Sequence, residues 1–221
     1  MNNVPLSGFC LLLAALSAHG TLRASESEAA YRETFPAHRD PSRYTRIAAS
    51  AKKWEVVVEN GRRFLRVTVS PTPGNPRGLV VWDLAPVQFN ALAIRARVNG
   101  TGGAPVFLEF AANDRAGNGY VFRPFGESKE SATRTPLPSD GSWAEFKIAI
   151  PGDLVKIFTK GKEISPYVHG RGEAITTWEG TDFSNIGFCT LYFHTDVPKD
   201  SPLIGKSFTV DLEGLELSNT R

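Results

Sequence analysis

The strongest constraint on this chain is an alternation of period two. Ala91 to Val98 sets Leu92, Ile94, Ala96 and Val98 on one side and Arg95 and Arg97 on the other. Only an extended strand turns every second side chain to the same face. Similar apolar segments recur at Trp54 to Val58, Phe64 to Val69, Gly78 to Leu84, Val106 to Ala111, Tyr120 to Phe125, Trp143 to Ile150, Ile186 to His194 and Ser207 to Leu217. Turn-forming stretches separate them: SPTPGNPRG at 70–78, Asn99 to Pro105, NDRAGNG at 113–119 and Thr135 to Gly141. Asn60-Gly61 between two such segments predicts a tight hairpin, because both residues tolerate the positive φ of the primed turns. Asp153 to Phe158 reads as a single helical turn, and 158–182 as a long irregular stretch of the kind that is functional or mobile.

Nine or ten strands, no βαβ alternation and no long amphipathic helix predict an all-β fold. Each strand has one apolar face, so two antiparallel sheets can bury those faces against each other in a β-sandwich. The size suits a jelly roll. The chain has 221 residues, and its first 20 hold none of the 25 basic or 23 acidic side chains. An apolar run from Val4 to Ala18 followed by Ala18-His19-Gly20 predicts a cleaved export signal over 1–20, although its start carries no Lys or Arg. Residues 21–30 read as a flexible leader and 31–221 as one sandwich domain, secreted or periplasmic, with no membrane span after cleavage. A net charge of +2 argues against a nucleic-acid partner. After cleavage only Cys189 remains, so no internal disulfide is expected, and its apolar setting predicts a buried thiol.

Aromatic and charged residues supply the candidate site. Recognition on such a face uses flat apolar platforms together with charged or amide groups that satisfy polar substituents. Alternation sets Arg95, Arg97, Glu109 and Lys147 opposite the core positions; on neighbouring strands they would form one polar patch near Phe107, or simply cross-strand ion pairs on a solvated face. Trp54, Trp82 and Trp143 read as core. Trp178 lies in TTWEG within the long loop, where it is either a stacking platform or a loop anchor. Tyr192 and His194 would share a face at a strand end, and His194 with Asp196 makes too few ligands for a metal. Tyr120 completes the ligand-binding candidates.

The order of segments resembles a known family. A Trp precedes Leu-Arg-Val-Thr-Val; then come Leu-Ala-Ile-Arg-Ala-Arg-Val-Asn-Gly, Gly-Ser-Trp-Ala-Glu-Phe-Lys-Ile-Ala-Ile-Pro and finally Phe-Thr-Val-Asp-Leu-Glu-Gly-Leu-Glu-Leu at 208–217. Across roughly residues 31 to 218 this is similar to the galactose-binding-like jelly roll of carbohydrate-binding modules. The resemblance implies carbohydrate binding. It also implies a structural calcium between the first and last strands, with Glu33 and Asp211 as ligands, although the family's Asp-Asp pair is Asp211-Leu212 here. Such folds also serve assembly and adhesion.

Catalytic patterns are weak. Asp211, Glu213 and Glu216 form the densest acidic run, but Asp-Leu-Glu-Gly-Leu-Glu does not match the Glu-x-Asp-x-x-Glu of sandwich glucanases. There is no Gly-x-Ser-x-Gly and no His-Glu-x-x-His. The expectation is therefore a secreted, non-catalytic module recognising a poly- or oligosaccharide. The alternatives are an extracellular assembly or adhesion protein binding another protein, and a polysaccharide hydrolase or lyase.

Overall fold

The computed structural model describes residues 29–36, 51–123, 135–150, 154–159, 162–166 and 187–219. The signal and most of the leader, Trp178 and most of the long loop lie outside the described residues. Among the described residues twelve strands occur: β1 (Ala29–Arg32), β2 (Ala51–Glu59), β3 (Arg62–Val69), β4 (Arg77–Gln88), β5 (Ala91–Asn99), β6 (Phe107–Asp114), β7 (Asn118–Phe122), β8 (Ala144–Ala149), β9 (Leu154–Thr159), β10 (Lys162–Pro166), β11 (Gly187–Asp196) and β12 (Phe208–Ser218). No helix occurs among the described residues.

The strands form two antiparallel sheets. The first runs β2-β3-β12-β5-β8, with β1 also on β12; the second runs β10-β9-β7-β6-β11-β4. The chain passes repeatedly from one sheet to the other, as jelly-roll connections do. The core lies between them. Leu65, Val67, Ile94, Ala96, Val210 and Leu212 come from the first sheet, facing Trp82, Leu108, Phe110, Leu191 and Phe193 of the second, all buried. Aromatic rings interlock there edge to face: Phe110 and Phe193 lie 5.6 Å apart, and Tyr120 and Phe188 5.5 Å.

Two local expectations are corrected. Asp153 to Phe158 is not a helical turn: 154–159 is strand β9, hydrogen-bonded between β7 and β10. A short apolar run does not distinguish strand from helix until a partner is known. Strand order begins at Ala29, within the stretch read as leader, because β1 pairs with the end of β12. The β2–β3 hairpin follows the expectation, with Asn60 at φ 51° and Gly61 at φ 74° in its turn.

Gly78 marks a close approach between sheets. A Cβ there would lie 2.6 Å from Thr195 Oγ1 and 2.8 Å from a Val69 methyl. Gly78→Ala is expected to destabilise by about 1–3 kcal/mol through overpacking, read as a lower urea midpoint at unchanged slope.

Candidate functional site

The expected single patch of Arg95, Arg97, Glu109 and Lys147 does not exist, because the residues belong to opposite sheets. Arg95 and Arg97 lie on β5 and Lys147 on the neighbouring β8, on the outer face of the first sheet; Glu109 lies on β6, on the outer face of the second. The two outer faces have different chemistry.

On the first sheet the charged groups are consumed by one another. Asp211 is fully buried, and its oxygens accept Arg66 Nε and Nη2 at 2.7 and 2.8 Å and Arg97 Nε at 2.7 Å. Arg97 also pairs with Glu59, and Arg95 donates to Glu213 at 2.8 Å. The guanidinium of Arg97 lies over the rings of Phe64 and Trp143, 5.1 and 4.8 Å from their centroids. Trp143 is therefore not a core residue. It is half-buried as a lid on this ionic layer, edge-on to Phe64 at 5.4 Å. The hydrogen bond to Asp211 raises the pKa of Arg66. On Arg97 burial works against the charge, but Asp211 and Glu59 outweigh it. These arginines brace a sheet surface.

The same geometry bears on the two calcium ligands that the resemblance implies. Both Asp211 oxygens are held by two guanidiniums, which leaves no lone-pair arrangement or charge balance suited to a cation. Glu33 is elsewhere: its N–H donates to the Leu215 carbonyl, while its carboxylate accepts the Phe35 N–H at 2.7 Å and the Tyr31 hydroxyl at 3.0 Å. Leu215 lies four positions along β12 from Asp211, roughly 10 Å of strand across the bulge between Glu213 and Glu216. Glu33 and Asp211 do not fit as ligands of one calcium. Among the described residues no cluster of three or more His, Cys, Asp or Glu is placed to hold a metal ion.

The second sheet's outer face holds an open groove of about 410 Å³. Its position follows from alternation across four strands. On β11, Leu191 and Phe193 point inward, so Tyr192, His194 and Asp196 point out. Register sets Tyr192 between Val81 of β4 and Ala111 of β6, and His194 between Leu79 and Glu109. The small residues Ala111, Gly117 and Gly119 lower the surface beside this ridge, which opens the trough. The Tyr192 and His194 rings run nearly parallel, 29° apart with centroids at 6.3 Å. At one end Asn113 Nδ2 donates to the Tyr192 hydroxyl at 3.1 Å. At the other end Arg77 and Glu109 line the trough, and Arg123 joins them in a charged cluster through its bond to Glu109.

Of the sequence candidates, Tyr192, Glu109 and the largely buried Tyr120 line the groove, with His194 beside Tyr192 as the shared face implied. Tyr120 pairs with Ala112 on the core side of β7, packs on Phe188 and is buried; burial, with Asp114 adding, pushes its phenol up to about 12. Arg77, Asn113 and Arg123 were missed. Arg77 closes a proline-rich loop and Asn113 opens a polar one, and each reads as turn chemistry until its strand is extended. The available signal for Arg77 was its position two residues before Leu79, in outward phase on the same strand. Cys189 is half-buried rather than buried, at the irregularity between Phe188 and Thr190.

Burial lowers the pKa of His194; Glu109 and Asp196 oppose the shift and Arg77 adds to it. The unfolded chain therefore takes up this proton at higher pH than the native state does. Stability is full above the ordinary histidine value of 6.5 and falls as pH drops through it, until native His194 itself protonates. In urea titrations from pH 7 downward the His194→Gln variant is expected to lose stability less steeply than wild type.

No family model matches the chain, and no curated protein matches it by sequence. Several solved structures have a similar course. A family 11 carbohydrate-binding module from Clostridium thermocellum, in complex with a β-1,3-1,4-mixed-linked tetrasaccharide, is 12% identical with a TM-score of 0.49, covering 86% of this chain and 96% of that one. The CBM22-1 xylan-binding domain from Paenibacillus barcinonensis is 13% identical with a TM-score of 0.44, covering 88% and 97%. A cellulose-induced protein is 15% identical with a TM-score of 0.45, covering 86% and 98%. At these values the likeness says nothing about which side chains of this chain bind a ligand.

Proposed function

We propose that this protein is a non-catalytic carbohydrate-binding module whose site is the outer face of the β4–β11–β6–β7 sheet. The observation that carries it is the pairing of an aromatic ridge, Tyr192 and His194, with a trough that ends in an amide on one side and Arg77 on the other. Sugars present an apolar ring face and a rim of hydroxyls, and this arrangement supplies a partner for each. The trough is open, which suits a chain rather than a small enclosed molecule. The charge-free first 20 residues support action outside the cytoplasm on an extracellular or cell-surface glycan.

The test is affinity electrophoresis of the full chain in gels containing soluble neutral polysaccharides, mixed-linkage β-glucan and xylan among them. Retardation that Tyr192→Ala abolishes and Arg97→Ala leaves intact supports the site. Retardation lost in Arg97→Ala but kept in Tyr192→Ala moves it to the other sheet. Trp178→Ala, run alongside, decides whether the long loop adds a second platform. Recovery as a stable hetero-complex with no retardation in any gel would favour a protein partner.

A further inference from the structure

Resting on the glycan reading above, we propose that Glu109 sets the charge selectivity of the groove: its buried carboxylate neutralises Arg77 and Arg123 and so favours neutral over acidic glycans. Three strands meet at this residue. Its side chain is only 4% exposed, and Oε2 accepts from Arg123 Nε and Nη2 at 2.5 Å while Oε1 faces Arg77 Nη1 at 3.6 Å. Arg77 also lies 3.6 Å from Asp196 on β11. His194 stands directly opposite Glu109 in register, with Tyr192 beyond it on the same strand face.

The buried carboxylate is engaged from both flanks, so Glu109 is a positioning residue rather than a partner for sugar hydroxyls. Arg77 is the group that meets the ligand. Its side chain is 44% exposed, and its two carboxylate contacts at 3.6 Å are longer than hydrogen bonds. A guanidinium carries five N–H donors in a planar fork, so such loose contacts leave it able to bind incoming oxygens. Among the described residues, the formal charges of Arg77, Arg123, Glu109 and Asp196 cancel. A carboxylate-bearing sugar therefore meets no net attraction here, whereas the hydroxyls of a neutral sugar can use the fork without bringing a charge of their own. Taking the charge from Glu109 leaves the cluster one unit positive in a partly dry setting, where an anion gains most.

The experiment measures wild type, Glu109→Gln and the double variant Glu109→Gln/Arg123→Gln against mixed-linkage β-glucan as the neutral polymer and polygalacturonate as the acidic one. Glu109→Gln is expected to shift the ratio of affinities toward polygalacturonate by roughly tenfold or more. High salt should erase that gain, and so should the double variant, which restores neutrality. If Glu109→Gln alone does not fold, the same change is read in the Arg123→Gln background. There it takes the four groups from net negative to neutral and must shift preference in the same direction. Parallel changes for both polymers, or a gain that survives in the double variant, overturn the inference and leave the glycan reading standing. A wild type that binds no polysaccharide in any gel overturns both.

Discussion

Asp211→Ala is expected to cost the domain about 3 kcal/mol, a drop in Tm of roughly 6 to 12 °C for a chain of this size. The carboxylate is fully buried between Arg66 and Arg97, whose side chains are 28% and 15% exposed. Removing it takes both carboxylate hydrogen bonds from Arg66 and leaves Arg97 with Glu59 alone, against Phe64 and Trp143 in a layer sealed from most of the solvent. An uncompensated charge of that kind costs more than the ion pair contributes, which is why truncating one partner exceeds the worth of the bridge. The value stays at the low end because Arg66 retains some contact with water. Asp211→Asn keeps the shape and one acceptor, so it should cost about 1–2 kcal/mol. Thermal melts of the two variants check this; equal and negligible shifts would show that the layer is electrostatically idle. Neither change reaches the groove on the other sheet, so glycan retardation of the folded variants should match wild type.

The contrast between the two sheet faces explains what could and could not be read from the sequence. Period two at Ala91 to Val98 fixed strand β5 and its inward face, and Asn60-Gly61 fixed a hairpin turn, because both signals are local. Alternation says which side of its own strand a residue occupies. It does not say which sheet the strand joins. Arg97 and Glu109 carry the same outward phase on consecutive strands, yet the chain crosses between sheets from β5 to β6, and the two residues end on opposite surfaces. The fate of Asp211 was hidden for the same reason: its partners, Arg66 and Arg97, are brought to it by strands β3 and β5 on either side of β12. Tyr192 was legible because it alternates with Leu191 and Phe193 within one strand. Arg77 and Arg123 were not: Arg77 ends the 70–78 turn stretch, Arg123 lies within the Tyr120 to Phe125 segment, and each meets Glu109 only when β4, β11, β6 and β7 lie side by side.

Tyr192→Ala is expected to weaken glycan binding by roughly ten- to a hundredfold, the loss of one well-placed aromatic platform. The ring stands on the middle of the groove's ridge, held upright by the neighbouring His194 ring and by the Asn113 amide on its hydroxyl. Tyr192→Phe separates the two contributions. It keeps the apolar face and gives up only an acceptor for Asn113, so binding should stay within about fivefold of wild type. The residue is half-buried on the outer face, away from the Phe110–Phe193 core, and Tyr192→Ala should therefore lower stability far less than Asp211→Ala does. Isothermal titration with an oligosaccharide of the retained polymer, paired with melting curves of the same samples, reads both quantities. A hundredfold loss of affinity with a near-native melt marks a ligand platform. Affinity and stability falling together would mark Tyr192 as packing, and an unchanged affinity would remove the ridge from the site.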